Sequence, residues 1–180
     1  MNHIYGYSLL ALFAGVVLPA GRAQTGVADT TPAHTREEFS FLVSAPYSQV
    51  FPLFGAHQER KWAAGFEPHF LHPLPAHDQQ GMVFTTVQEG IPRVWTNTCF
   101  DAASGHVQYV YWIADVMVAV IEIHVNRSVA QQTQVQVVYE RTALRPEANQ
   151  QVLRMAQADA NSGPKWAEAI NSYLRSADAK

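Results

Sequence analysis

Glu122 and His124 place a carboxylate and an imidazole two residues apart, the best general acid–base pair in the chain. In a strand that spacing puts both on one face. Ile121, Ile123 and Val125 make the other face the buried one, so Glu122, His124 and Asn126 read as a solvent-facing stripe. His57, His69, His72 and His77 form a second concentration. His69 and His72 stand three apart in an expected strand and should point to opposite faces, so no metal site is expected there. Cys99 is the only cysteine. It excludes an intrachain disulfide, and in a strand-like run it reads as a buried, inert thiol.

A third set is aromatic and cationic. If Val107, Tyr109, Tyr111 and Ile113 face inward, two phenols enter the protein's interior. The alternation Val135, Val137, Tyr139, Arg141 carries a third phenol inward and brings a guanidinium to the rim, ready for a ligand carboxylate or an internal partner. Trp95, Asn97 and Cys99 share a strand face opposite Thr96 and Thr98. An apolar cavity with a few convergent polar groups is what small-molecule sites look like. The other reading is a filled core whose polar tips are satisfied by protein or water. Trp62 reads as a core anchor rather than a gate. Glu59 and Arg60 beside it are expected to cap a helix or pair with each other, with no chemistry assigned.

The elements that must position these groups follow in order. Glu38–Ser44 is a first strand with Phe39, Phe41 and Val43 on one face. Pro46 opens a short helix carrying Val50, Phe51 and Phe54, Gly55 breaks it, and a second short helix runs from His57 to Ala64. Strands are expected at Phe66–Leu74, Met82–Gln88 and Arg93–Phe100, joined by short turns in the manner of an antiparallel meander. His106–Val129 is too long for one strand, so a turn near Asp115 divides it. Ala130–Thr133 is a polar turn, and Gln134–Leu144 alternates as a half-buried strand. Pro146 and Glu147 open a helix that Ser162-Gly163-Pro164 stops or kinks. A final helix then presents Trp166, Ile170, Tyr173, Leu174 and Ala177 on one stripe.

The chain has 180 residues, about one domain, with 12 basic and 15 acidic side chains and a net charge of −3. No basic run exists to meet nucleic acid or an anionic membrane surface. Ile4–Ala20 is apolar and small residues flank Arg22. Residues 1–23 read as a secretory signal cleaved after Ala23, too short to span a bilayer as an anchor, and 24–36 as a flexible lead-in. Residues 37–180 are the domain. Asn126-Arg127-Ser128 matches a glycosylation pattern by chance.

Strand, two short helices, six strands and a long terminal helix resembles the helix-grip fold of the superfamily that joins START domains, birch-pollen allergens and polyketide cyclases (SRPBCC). The resemblance spans roughly Glu38–Ala177. Its most specific pieces are Phe41-Leu-Val-Ser-Ala-Pro46 leading to Val50-Phe51 and Leu53-Phe54, then Glu59-Arg-Lys-Trp62 with Gly65-Phe-Glu-Pro68. Gly81-Met-Val-Phe84 and the Trp166–Leu174 helix are similar to bacterial members. The resemblance implies an α+β domain in which a curved antiparallel sheet of about seven strands wraps around the long C-terminal helix. It also implies a cavity for apolar or aromatic molecules, but no superfamily-wide catalytic motif.

The expectation is therefore an exported protein that holds a small apolar or aromatic molecule against Trp95, Asn97, Tyr109, Tyr111, Tyr139, Arg141 and Trp166. No cofactor, nucleic acid or stable membrane insertion is expected. One rival is a cyclase or dehydratase whose Glu122, His124 or tyrosine–arginine pair enters the cavity. The other is an interaction module with a filled interior and an exposed apolar patch.

Overall fold

The computed structural model describes residues 30–127 and 131–178. The expected signal segment lies outside the described residues, as does part of the turn before the last strand. Seven strands form one antiparallel sheet in the order β1-β7-β6-β5-β4-β3-β2. β1 is His34–Val43, so the end of the expected lead-in is strand. Asn149 ties that segment down, accepting from Ala33 N–H at 2.7 Å and donating to the Thr31 carbonyl at 2.9 Å.

After β1 the chain crosses to the far edge through α1 (Tyr47–Val50), a 3-10 turn (Phe51–Phe54) and α2 (Ala56–Glu59). It then meanders back through β2 (His69–His72), β3 (Val83–Gln88), β4 (Ile91–Asp101), β5 (His106–Ile113), β6 (Met117–Arg127) and β7 (Thr133–Ala143). β7 closes against β1. The β3–β4 hairpin turns on two residues, Glu89 and Gly90, both at positive φ. Such a turn matches the right-handed twist of its flanking strands, and it lets β4 start two residues before the expected Arg93. Asp115, at φ 59°, makes the turn that divides the long 106–129 run. β2 is shorter than the expected 66–74 strand.

The terminal helical region is two helices, α3 (Asn149–Asp159) and α4 (Gly163–Asp178), broken at the expected Ser162-Gly163-Pro164. Ile170 is fully buried, Trp166, Tyr173 and Leu174 are half-buried, and Ala177 is exposed, so the last turn of the expected stripe leaves the core. No helix among the described residues is long and apolar enough to cross a membrane.

The inward face of β5, β6 and β7 alternates as expected, with Val107, Tyr109, Tyr111, Ile121, Ile123, Val135 and Val137 buried. Two bulges overturn other parity expectations. A register shift in β4 pairs Asn97 with Tyr109 but Cys99 with Gln108. Cys99 therefore leaves the face of Trp95 and Asn97, and Phe100 turns inward against Phe51, ring centroids 5.0 Å apart. In β2 a shift at Leu71 pairs His69 with Thr85 and His72 with Val83, which puts the two histidines on one face instead of opposite ones. A bulge adds a residue to one strand and reverses every parity beyond it.

Candidate functional site

Between the concave sheet face and the helices lies a cavity of about 320 Å3, at the small end of the roughly 300–1,000 Å3 of ligand sites. Six of the seven expected residues line it, namely Trp95, Tyr109, Tyr111, Tyr139, Arg141 and Trp166. Asn97 does not. It is buried behind the wall beside Tyr109, with its backbone N–H and C=O held by Met82 and Gly81 and its side-chain Oδ1 lacking a partner. The filled-interior reading does not match this void. Glu122 and His124 sit on the outer face of β6, directly paired with each other at 3.5 Å, and do not reach the cavity.

Aromatic contacts set the walls. Trp95 stacks on Tyr111 (4.1 Å) and Phe84 (5.6 Å) and donates its indole N–H to Thr86 Oγ1 at 2.9 Å. Trp166, from α4, packs edge-on to Trp62 (5.5 Å) and Phe39 (5.7 Å), which pins the helix to β1. Trp62 is buried and donates to the Leu53 carbonyl at 2.8 Å, the anchor role expected of it. Tyr109 is locked, donating to the Phe54 carbonyl at 3.0 Å and accepting from Ala56 N–H at 2.9 Å. Burial holds the phenols of Tyr109, Tyr111 and Tyr139 above their ordinary pKa, so all three stay neutral donors at neutral pH.

The charged lining is where sequence reasoning fell short. Arg141 is 5% exposed and forms a two-point ion pair with Asp159 of α3. Its guanidinium lies over the Tyr139 ring at 4.5 Å, and its Nε has no hydrogen-bond partner. Burial pushes the Asp159 carboxyl up to about 6 although Arg141 pulls it down. Arg93, buried two positions before Trp95 on β4, donates to the Gln88 side chain and pairs with no acid among the described residues. Burial lowers its pKa, Tyr111 and the more distant charge of Glu89 oppose the shift, and the like charge of Arg141 adds to it. Two buried guanidiniums thus line the cavity, and among the described residues only Arg141 is paired with a carboxylate.

Glu59, at the end of α2, also lines the cavity. It neither pairs with Arg60 nor caps a helix with its side chain, and its carboxyl has no partner among the described residues. Burial, then the negative charge of Asp78, pushes it up to about 8, so at neutral pH it is mostly protonated. Asp78 accepts from His57 N–H at 2.7 Å and packs against Gly55, where an added Cβ would collide with the carboxyl. Gly55 and Asp78 together fix α2 and hence the position of Glu59. Arg93 was legible in principle, since it shares a strand face with Trp95. Glu59 and Asp159 carried no local signal, because their roles depend on where their helices lie over the sheet.

No family model and no curated protein matches the sequence. Solved structures do match in shape. Norcoclaurine synthase from Thalictrum flavum, in complex with dopamine and hydroxybenzaldehyde, is 10% identical and aligns over 95% of this chain and 98% of its own with a TM-score of 0.58. A hypothetical protein of Helicobacter pylori is 11% identical over 92% and 99%, with a TM-score of 0.62. Ara h 8.0201 is 13% identical over 80% of this chain and 99% of its own, with a TM-score of 0.55. This chain has the helix-grip fold. At such identities the likeness speaks for the fold alone, and the helix-grip cavity must be read from its own residues.

Proposed function

We propose that this helix-grip protein binds a small aromatic or apolar molecule carrying one negative charge, with its ring among Trp95, Phe84, Phe66 and Trp166 and its anionic group at Arg93 and Arg141. The observation that carries the reading is Arg93, a buried cation that forms no ion pair with an acid among the described residues. At neutral pH the two guanidiniums and ionised Asp159 leave one positive charge inside an aromatic chamber, and Glu59 is mostly neutral. A bound carboxylate supplies the missing partner and accepts charge-assisted hydrogen bonds. The norcoclaurine synthase complex with dopamine and hydroxybenzaldehyde supports small aromatic molecules as the ligand class. Membership of the SRPBCC superfamily and export from the cell belong to the same proposal. Export rests on residues 1–23 alone.

The test is calorimetric titration with 4-hydroxyphenylacetate and with its amide. Binding of the carboxylate at least about tenfold tighter than the amide, lost in Arg93→Gln, is the expected result, since a charged hydrogen bond is worth about 1.5–3 kcal/mol. Equal affinities, or no binding of either, would sink the reading.

A second reading is favoured by Glu59, an acid that lines the cavity and whose carboxyl is pushed up to about 8, within the range in which a general base can act. In it, the Glu59 carboxylate removes a proton from a carbon next to a ligand carbonyl, the electron pair moves onto the carbonyl oxygen, and the carboxyl, after exchanging that proton with solvent, returns one to the carbon as the carbonyl re-forms. Solvent deuterium should enter a bound phenylacetaldehyde at that carbon faster with the wild-type protein than with Glu59→Gln. Equal rates would discard the reading.

A further inference from the structure

Outside the cavity, the convex face of the sheet brings together three metal-ligating side chains. His106 of β5 and His124 of β6 are directly opposed across the antiparallel pair, and Glu122 lies one same-face position along β6, opposite Gln108. Directly opposed residues on one sheet face hold their Cβ atoms within about 5.5 Å. The two imidazoles are nearly parallel, 10° apart, with centroids at 4.8 Å. One donor atom from each of His106, Glu122 and His124 lies within 4.8 Å of the others, the only such group among the described residues.

We propose that His106, Glu122 and His124 form a site for a borderline divalent cation of the zinc class, on the face of the sheet opposite the cavity. Four observations carry it. The donor set is two imidazoles and a carboxylate, the composition of three-ligand zinc sites that leave a fourth position to water. His124 Nε2 and Glu122 Oε2 are 3.5 Å apart, close to the roughly 3.4 Å that two bonds of about 2.1 Å at a tetrahedral angle require. His106 Nε2 is buried and has no hydrogen-bond partner. A metal bond to that nitrogen would satisfy it, once the two stacked rings turn so that their nitrogen lone pairs converge.

The fourth observation is an outer shell of hydrogen bonds. Gln108 donates to Glu122 Oε1 at 2.9 Å, and Thr98 Oγ1 donates to Gln108 at 2.7 Å. Such contacts hold a ligating carboxylate in place and leave its second oxygen free for the ion. The nearby Asp101 is engaged elsewhere, accepting from Ala103 N–H and Ser104 Oγ, so it does not complete the set. The side chains of His124 and Glu122 are 40% and 39% exposed, which gives an ion a path in.

The experiment is calorimetric titration of chelator-stripped full-length protein with zinc chloride in a non-coordinating buffer. One equivalent is expected to bind, with affinity lowered at least tenfold in each of His106→Ala, Glu122→Gln and His124→Ala. Gln108→Ala, which removes only the outer shell, should weaken it less. Circular dichroism of each variant shows whether it is folded. Cobalt(II) titrated in place of zinc gives a visible absorption band that reports four-coordinate nitrogen and oxygen ligation, provided the wild-type site is intact. The control His69→Gln/His72→Gln, which alters the other exposed histidine pair, should leave binding unchanged. Absence of a one-equivalent isotherm in the wild type would overturn the proposal. So would an isotherm that survives in folded His106→Ala and His124→Ala, or one abolished by the β2 control.

Discussion

The two faces of the sheet treat charge in opposite ways. On the convex face, where water would hydrate any ion, most charged groups have partners: Arg36 with Glu38 at 2.9 Å and Glu140 at 3.6 Å, Glu122 with His124 and Gln108, Glu38 with Gln136. On the concave face, where burial makes an unpaired ion costly, Arg93 and Glu59 form no ion pair among the described residues and Arg141 has an idle Nε. Exposed pairs contribute little and unpaired buried charges are expensive, so stability alone would favour the reverse arrangement. The difference teaches that the concave face is not arranged for the empty protein. It is held incomplete by well-packed aromatic walls, as expected where a ligand supplies the missing partner.

Breaking the inner Arg141–Asp159 pair should have the largest effect. Arg141→Ala leaves Asp159 uncompensated and should cost about 3–5 kcal/mol at pH 8 by urea denaturation. The loss should shrink below pH 6, where Asp159, already raised to about 6, takes a proton. A loss independent of pH would mean that packing, not charge, sets the cost.

Removing Glu59, the unpaired acid of the cavity lining, should act in the other direction. The folded protein holds the Glu59 proton up to about pH 8, while an unfolded glutamate releases it near 4.3. The native state therefore binds more protons across that window, and its stability falls as pH rises from about 4.3 to 8. Glu59→Gln should remove the Glu59 share of that decline, flattening the curve most between about pH 6 and 8, and be more stable than wild type at pH 9 by at least about 1 kcal/mol, the worth of most of one pKa unit. Parallel pH–stability curves for the two proteins would contradict it.

Smaller effects complete the contrast. Arg93→Met should change the stability of the empty protein by less than about 1 kcal/mol, because replacing a buried ion by an apolar side chain is often neutral. The same substitution should remove binding of the aromatic carboxylate. On the outer face, Arg36→Ala should cost only about 0.2–1 kcal/mol, and less in high salt. An outer loss as large as that of Arg141→Ala would erase the distinction between the faces.

The fold was largely legible because its strands alternate and its turns are punctuated. Tyr109, Tyr111, Tyr139 and Arg141 could be assigned inward from β5 and β7, two strands without a bulge. The same parity argument misplaced Cys99 and His72, because each lies beyond a bulge, and a bulge is set by pairing with a neighbouring strand rather than by local residue type. His106 went unremarked beside Glu122 and His124 because register, not spacing, brings it across from β5. Glu59 and Asp159 were illegible as cavity groups for a related reason. A helix's residues say which face is apolar, but not which strand that face will cover.

Gly55 carries a consequence for the history of the chain. Its φ of −79° and ψ of 139° suit any residue, so conformation does not demand glycine. Space does, because the Asp78 carboxyl occupies the volume a methyl group would need. The two positions should therefore covary. A homologue that has lost the acid at 78 is free to carry alanine or serine at 55, and one that keeps the acid is not.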